Sequence, residues 1–155
     1  MIGLLQRVIR HGGSPDLPAV AALLRQARLP INDLSSAPGL RVWVLEIDGE
    51  LAGAAALEGT ESTARLLRSV VVAPGHQRGG LGRDLVSQVE REARDQGIEQ
   101  LVLLTETAQA LFERLGYEVI DRAAAPEVLQ QSAEFRSLCP ASAVCMSKRL
   151  GPTRG

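Results

Sequence analysis

Aromatic side chains are scarce in this chain: Trp43, Tyr117, Phe112 and Phe135 are all there are among 155 residues. Its core must therefore be built from Leu, Val, Ala and Ile. Charge of one sign is lacking too. Seventeen Lys and Arg face eighteen Asp and Glu, so nothing global points to nucleic acid as a partner. No stretch approaches the roughly 18–20 apolar residues of a membrane span, which predicts no membrane partner. Residues 1–10 carry Arg7 and Arg10 without a long apolar run, which argues against a signal peptide and makes the cytoplasm the expected compartment. Cysteine is limited to Cys139 and Cys145, and a disulfide is poorly motivated in a cytoplasmic chain. A zinc site would normally want four ligands, and only His11 and His76 could join the two thiols, so no metal is expected.

What is present is an ordinary globular balance, 45% apolar and 23% charged. The length fits a single domain over residues 1–150, with 151–155 as a frayed tail. Residues 6–10 read as a first strand, broken by His11-Gly12-Gly13. Leu17, Val20, Leu23, Leu24 and Ala27 recur at helical spacing over 17–28, and Pro30 stops the run. Residues 30–40 look like a loop or a short helix. Strands follow at 41–47 and 51–59, joined by Asp48-Gly49, a strong two-residue hairpin signal. A third apolar run, 66–72, precedes a long amphipathic helix over 82–96. There Leu85, Val86, Val89 and Ala93 form the buried stripe, and Glu90, Arg91, Arg94 and Asp95 the wet side. A strand at 100–104, a helix at 107–115 and late strands over 117–122 and 142–149 complete the order. The pattern predicts an α/β (α+β) fold with helices on both faces of one sheet.

The most informative stretch is 70–83. An apolar β-branched run, Val70-Val71-Val72, leads to Gln77-Arg78-Gly79-Gly80-Leu81-Gly82, and the helix begins at once. Glycine lets the backbone approach a ligand closely, and the first N–H groups of a helix have no internal partner. Together with the helix dipole they favour a polyphosphate. Arg78 and Arg83 can add charge there, or can be solvated surface arginines.

Element order and glycine loop together resemble the GNAT acetyltransferase superfamily over roughly residues 6–149. The loop fits that family's Q/R-x-x-G-x-G/A motif, and residues 108–117 (AQALFERLGY) resemble the segment that packs beside its pantetheine arm. Residues 29–34, 57–58, 66–69, 121–126 and 134–146 look like the arsenic-resistance-associated N-acetyltransferase branch. The resemblance implies a GNAT fold with a single mixed, mostly antiparallel sheet. It implies acetyl-CoA as cosubstrate, bound by Val70, Val71, Val72, the loop 77–82, Arg83 and Thr105, and it admits a homodimer. The implied activity is acetyl transfer to the primary amine of a small molecule, such as an arsenic- or phosphorus-containing amino-acid toxin. A protein or peptide N-acetyltransferase, or a non-catalytic sensor of coenzyme A or arsenic, are the alternatives.

Further residues follow from the chemistry. An ammonium must lose a proton before it attacks, so a carboxylate base is expected. Glu58, at the end of its strand, is the first candidate, through water, and Asp33 the second; either can equally be a capping or surface carboxylate. Arg68 clamps an acidic acceptor if it faces the cleft, and is a surface charge if not. Phe135 and Arg136 are placed to shape the acceptor pocket. Phe112 stands where the family often has the Tyr that protonates the departing thiolate, and Thr105 where it often has Asn. Tyr117 reads as core, and Cys145 as a small core residue.

Overall fold

The computed structural model describes residues 6–34, 36–60, 62–77, 79–138 and 141–151. Arg78, Cys139 and residues 152–155 of the expected tail lie outside them. Seven strands form one sheet in the order β1-β2-β3-β4-β5-β7-β6. These are β1 (Arg7–His11), β2 (Arg41–Ile47), β3 (Glu50–Glu58), β4 (Ala64–Val72), β5 (Gln100–Thr105), β6 (Glu118–Val119) and β7 (Val144–Arg149). Every neighbouring pair is antiparallel except β4–β5. Asp48 and Gly49 take φ of +51° and +83°, the two left-handed residues a tight β2–β3 hairpin needs.

Strand alternation sends side chains to two helical layers. Val42, Val44, Ala54 and Ala56 face α1 (Leu17–Gln26), which presents Val20 and Leu24. Trp43, Ala55, Leu57, Leu67 and Leu103 face α2 (Leu81–Asp95) and its stripe Leu85, Val86, Val89 and Ala93. Alanines along β3 let both helices approach the sheet. One α2 residue expected on the wet side is inside: Glu90 is buried, because Tyr117 and Lys148 reach it from below.

The segment after α3 (Gln109–Arg114) departs most from expectation. The strand expected over 117–122 shrinks to Glu118–Val119. Ala123–Ala125 favour helical turns over a ladder, and Pro126 has no N–H to give one. A 3-10 turn (Arg122–Ala124), α4 (Glu127–Gln130) and a π-helical turn (Glu134–Leu138) follow instead. They cover the α1 side of the sheet, where Leu129 and Phe135 pack on Leu66, Val102 and Cys145.

Candidate active site

The site begins where the sheet comes apart. The parallel ladder between β4 and β5 runs only from Ala64–Gln100 to Leu66–Val102. Beyond it β4 stays with β3, and β5 stays with β7. A bulge in β4 drives the parting: the β3–β4 register shifts between Ala54 and Ala56, and Ser69 sits at φ +58°. Such an inserted residue bends and twists its strand. A cleft of about 570 Å³ opens, walled by Val70–Val72 on one side and Leu103–Thr105 on the other, with Phe112 beside them. The backbone groups that this half of β4 turns toward β5 have no ladder there among the described residues. They are free for an extended ligand to pair with, as in strand addition.

The cleft mouth meets the start of α2. Gly79 and Gly80 take φ of +93° and +76°, and Gly80 caps the helix without a side-chain bond, so among the described residues no side chain claims the first amides of α2. A Cβ at Gly80 would lie 2.9 Å from the Arg83 guanidinium, which folds back over the loop. A Cβ at Gly82 would meet nothing closer than Val72 Cγ2 at 3.8 Å, so the helix start abuts the end of β4. Gln77 Nε2 donates to the Val72 carbonyl at 3.2 Å and ties loop to strand. Leu81 turns inward, onto the cluster of Leu45, Ile47 and Ala52. The Thr105 hydroxyl accepts from Ala108 N–H at 3.0 Å and starts the turn into α3. These groups fit a phosphate-bearing thioester: a cradle of amides at the mouth, a slot of strand edges below it.

Four charged residues meet on the α1 side of the cleft. Arg68 is wholly buried; its Nη1 and Nη2 donate to Asp33 at 2.6 and 2.7 Å, and Nη1 donates to Glu58 at 2.9 Å. Its Nε donates to Ser69 Oγ at 3.3 Å, while Glu134 Oε1 lies 3.7 Å away, beyond hydrogen-bond reach. Register decides this: Arg68 pairs with Ala56 and follows Leu66 on the same face as Glu58. Burial alone would favour losing the charge of Arg68, but its bonded carboxylates win, and its pKa is raised. Glu134 is 4% exposed. Burial, resisted by Arg68 and reinforced by Asp33 and Glu58, pushes its carboxyl up to about 7.

Arg68 thus faces the cleft, but its guanidinium is committed to protein carboxylates rather than open as a clamp. Phe135 and Arg136 do not line the cleft. The π turn points Phe135 into the cluster under α4 and leaves Arg136 exposed; Glu134 is the member of that turn that reaches the cleft. Glu134 opens the unusual 134–146 stretch, and an isolated carboxylate beside Phe135 is the local signal it offers in the sequence. Tyr117 is core, 2% exposed, its ring edge-on to Phe112 at 5.4 Å and its hydroxyl on Glu90. Burial pushes the Cys145 thiol up to about 11.

A sheet split after a bulge, with a glycine-capped helix at the mouth of the split, suits a transferase that would draw its acyl group from a coenzyme A thioester. The acetyltransferase (GNAT) domain family matches residues 38–119. An uncharacterized N-acetyltransferase of Escherichia coli, YjgM, is 30% identical over 141 residues, covering 75% of this chain and 84% of its own. The amino-acid acetyltransferase of Neisseria meningitidis is 29% identical over 140 residues, 83% of this chain and 31% of that protein. The N-acetylglutamate synthase of Neisseria gonorrhoeae, solved with coenzyme A and N-acetyl-glutamate, superposes with a TM-score of 0.78 at 26% identity, over 94% of this chain and 35% of its own. The chain spans only about a third of the length of these two neisserial proteins. It belongs to the GNAT acetyltransferase family, and it is an acetyl-CoA-dependent N-acetyltransferase. Among the described residues no helix is long and apolar enough to cross a membrane.

Proposed function

We propose that the acceptor is the primary amine of a small molecule, and that it reaches the acetyl group from the Arg68 end of the cleft. The observation that carries this is the charge imbalance there: three carboxylates, Asp33, Glu58 and Glu134, surround one guanidinium. Such a cluster attracts an ammonium and repels an acid group. The neisserial relatives act by name on amino acids, which supports a small acceptor. An amino acid, including the arsenic- or phosphorus-containing kind of the resembling branch, would enter amine first, its acid group toward Arg28, the exposed cation on the cleft wall. The buried, protonated Cys145 gives no support to a thiophilic arsenic ligand.

Acetyl-CoA supplies an activated acyl group on a thiolate that leaves readily, since its thiol pKa is near the 8.5 of free cysteine. Phe112 offers no proton, and at that pKa none is demanded. The chain's own part is positional. The amides at the start of α2 hold the diphosphate, the free edge of Val70–Val72 holds the pantetheine arm, and a backbone N–H beside the bulge faces the carbonyl oxygen as charge develops.

Free-thiol release from acetyl-CoA with a panel of small amines tests the reading. Release with peptides alone would favour a protein N-acetyltransferase, and tight binding without release a sensor. Gly82→Glu is the sharper variant of the cradle, because φ at Gly80 would strain any side chain there. A glutamate early in a helix suits the dipole, so the chain stays folded. Its carboxylate against the phosphates should weaken acetyl-CoA binding at least about tenfold by calorimetry, roughly 1.4 kcal/mol. Unchanged affinity would remove the cradle.

A further inference from the structure

We infer that Glu134, in the π turn before β7, is the catalytic residue that takes the proton from the acceptor's ammonium, and that Asp33, Glu58 and Arg68 hold it in place. The inference rests on the small-amine reading and adds the group that makes the amine reactive.

The geometry separates three carboxylates that sequence alone treats alike. Asp33 gives both oxygens to Arg68, at 2.6 and 2.7 Å, and Glu58 gives Oε1 at 2.9 Å. Both are locked to a buried guanidinium, which fixes their orientation. Glu134 is different. The third nitrogen of the guanidinium, Nε, is turned to Ser69, and Glu134 waits 3.7 Å away on the cleft wall. It feels the arginine without being bonded to it. The charged groups facing it are Arg68 on β4, Asp33 from the loop after α1 and Glu58 on β3. From α4, Glu127 is exposed and Gln130 is turned to the carbonyls of Ala123 and Ala125. One arginine cannot neutralise three acids, so the least bonded one holds its proton most readily, near pH 7. A base poised near working pH is the efficient kind.

In the step, one proton passes from R–NH3+ to a Glu134 oxygen. The freed lone pair forms the C–N bond to the thioester carbon, the C–S bond breaks with its electrons on sulfur, and the thiolate takes a second proton from the nitrogen. Glu134 returns its proton to water. The sum is one amide, one free thiol and one released proton.

Two acceptor probes test this. Glycinamide is mostly protonated at pH 6.5, while O-methylhydroxylamine is already a free amine there. Glu134→Gln should lower kcat/KM for glycinamide about 100-fold or more, and for O-methylhydroxylamine less than about fivefold. Glu134→Asp should recover part of the loss. Equal losses with both probes would overturn the assignment of the base alone. Turnover of neither would overturn the small-amine reading and the proton transfer with it. A second readout needs no acceptor. Carbon-13 spectra of the chain labelled at glutamate carboxyls should show one signal titrating near pH 7 that is missing in Glu134→Gln. If every glutamate titrates in the ordinary carboxylate range, Glu134 is not the base.

Discussion

Two buried acidic clusters lie on opposite faces of this sheet, and they are built to opposite rules. On the α2 face Glu90 is surrounded by donors. Tyr117 Oη donates to it at 2.8 Å, Lys148 Nζ at 3.0 Å, and Arg94 lies 3.9 Å away. On the α1 face three carboxylates crowd one guanidinium. In the first cluster one acid is outnumbered by partners, and it joins α2 to the late strands. In the second the acids outnumber their partner, so one proton is left without a fixed owner. Burial is common to both. The balance of donors to acceptors is what distinguishes a structural carboxylate from a reactive one.

Removing the single cation of the α1-face cluster breaks that comparison hardest. Arg68→Met should cost about 3–5 kcal/mol of unfolding free energy at pH 8, because it strands buried like charges. The penalty should shrink toward pH 5 as Glu134 binds its proton. Denaturant unfolding at the two pH values measures it; a cost independent of pH would mean that packing, not charge, is what Arg68 contributes.

Glu134→Gln should do the opposite. The wild-type carboxyl moves from an ordinary 4.5 to about 7 on folding, so the unfolded chain releases its proton first as pH rises. Stability contributed by the protonated form is complete below pH 4.5, falls through the window to pH 7, and stays lost above it. The difference amounts to about 3 kcal/mol. The amide carries no such penalty. The variant should therefore match wild type near pH 4 and melt several degrees higher at pH 8, a gain in stability beside a loss of turnover. Equal melting temperatures at both pH values would mean that Glu134 titrates as if exposed.

Much of the cofactor half could be read from the chain, and little of the acceptor half. Asp48-Gly49, the β-branched run at 70–72 and the glycines at 79–82 are local signals, since each turn type or helix start needs those residues where they stand. Arg68 could be put on its strand but not given a partner. Its face depends on register against β3, and its partners come from 35 residues before it, 10 before it and 66 after it. No local pattern encodes such a meeting. Glu134 was hidden further by its π turn, which sends residue 134 to the cleft and residue 135 under α4 where an extended loop would have offered both. Glu90 misled for the opposite reason: helical spacing put it on the wet side, and only the fold brings Lys148 and Tyr117 across to cover it.

Smaller changes on the α2 face sharpen the contrast. Glu90→Gln should cost about 2 kcal/mol, because Lys148 loses its buried counter-charge and Tyr117 its charged acceptor. The folded fraction should turn over acetyl-CoA as wild type does. Tyr117→Phe is the mildest and the most decisive about mechanism. The ring keeps its edge-on contact with Phe112 and its place beneath Lys148 Nζ, 5.5 Å from the centroid, so only the hydroxyl is lost. One hydrogen bond to a charged group is worth about 1.5–3 kcal/mol, and the loss should fall at the low end because Glu90 keeps Lys148. The hydroxyl could matter to chemistry only as the acid that protonates the leaving thiolate. Yet it is buried and already donates a hydrogen bond to Glu90, and burial followed by the nearby Glu90 charge raises its pKa. Turnover at saturating acetyl-CoA should therefore be unchanged in Tyr117→Phe across pH 6–9. A fall in kcat that leaves the melting temperature alone would make Tyr117 the acid after all, and would place reactive chemistry on the face where every carboxylate contact has a settled owner.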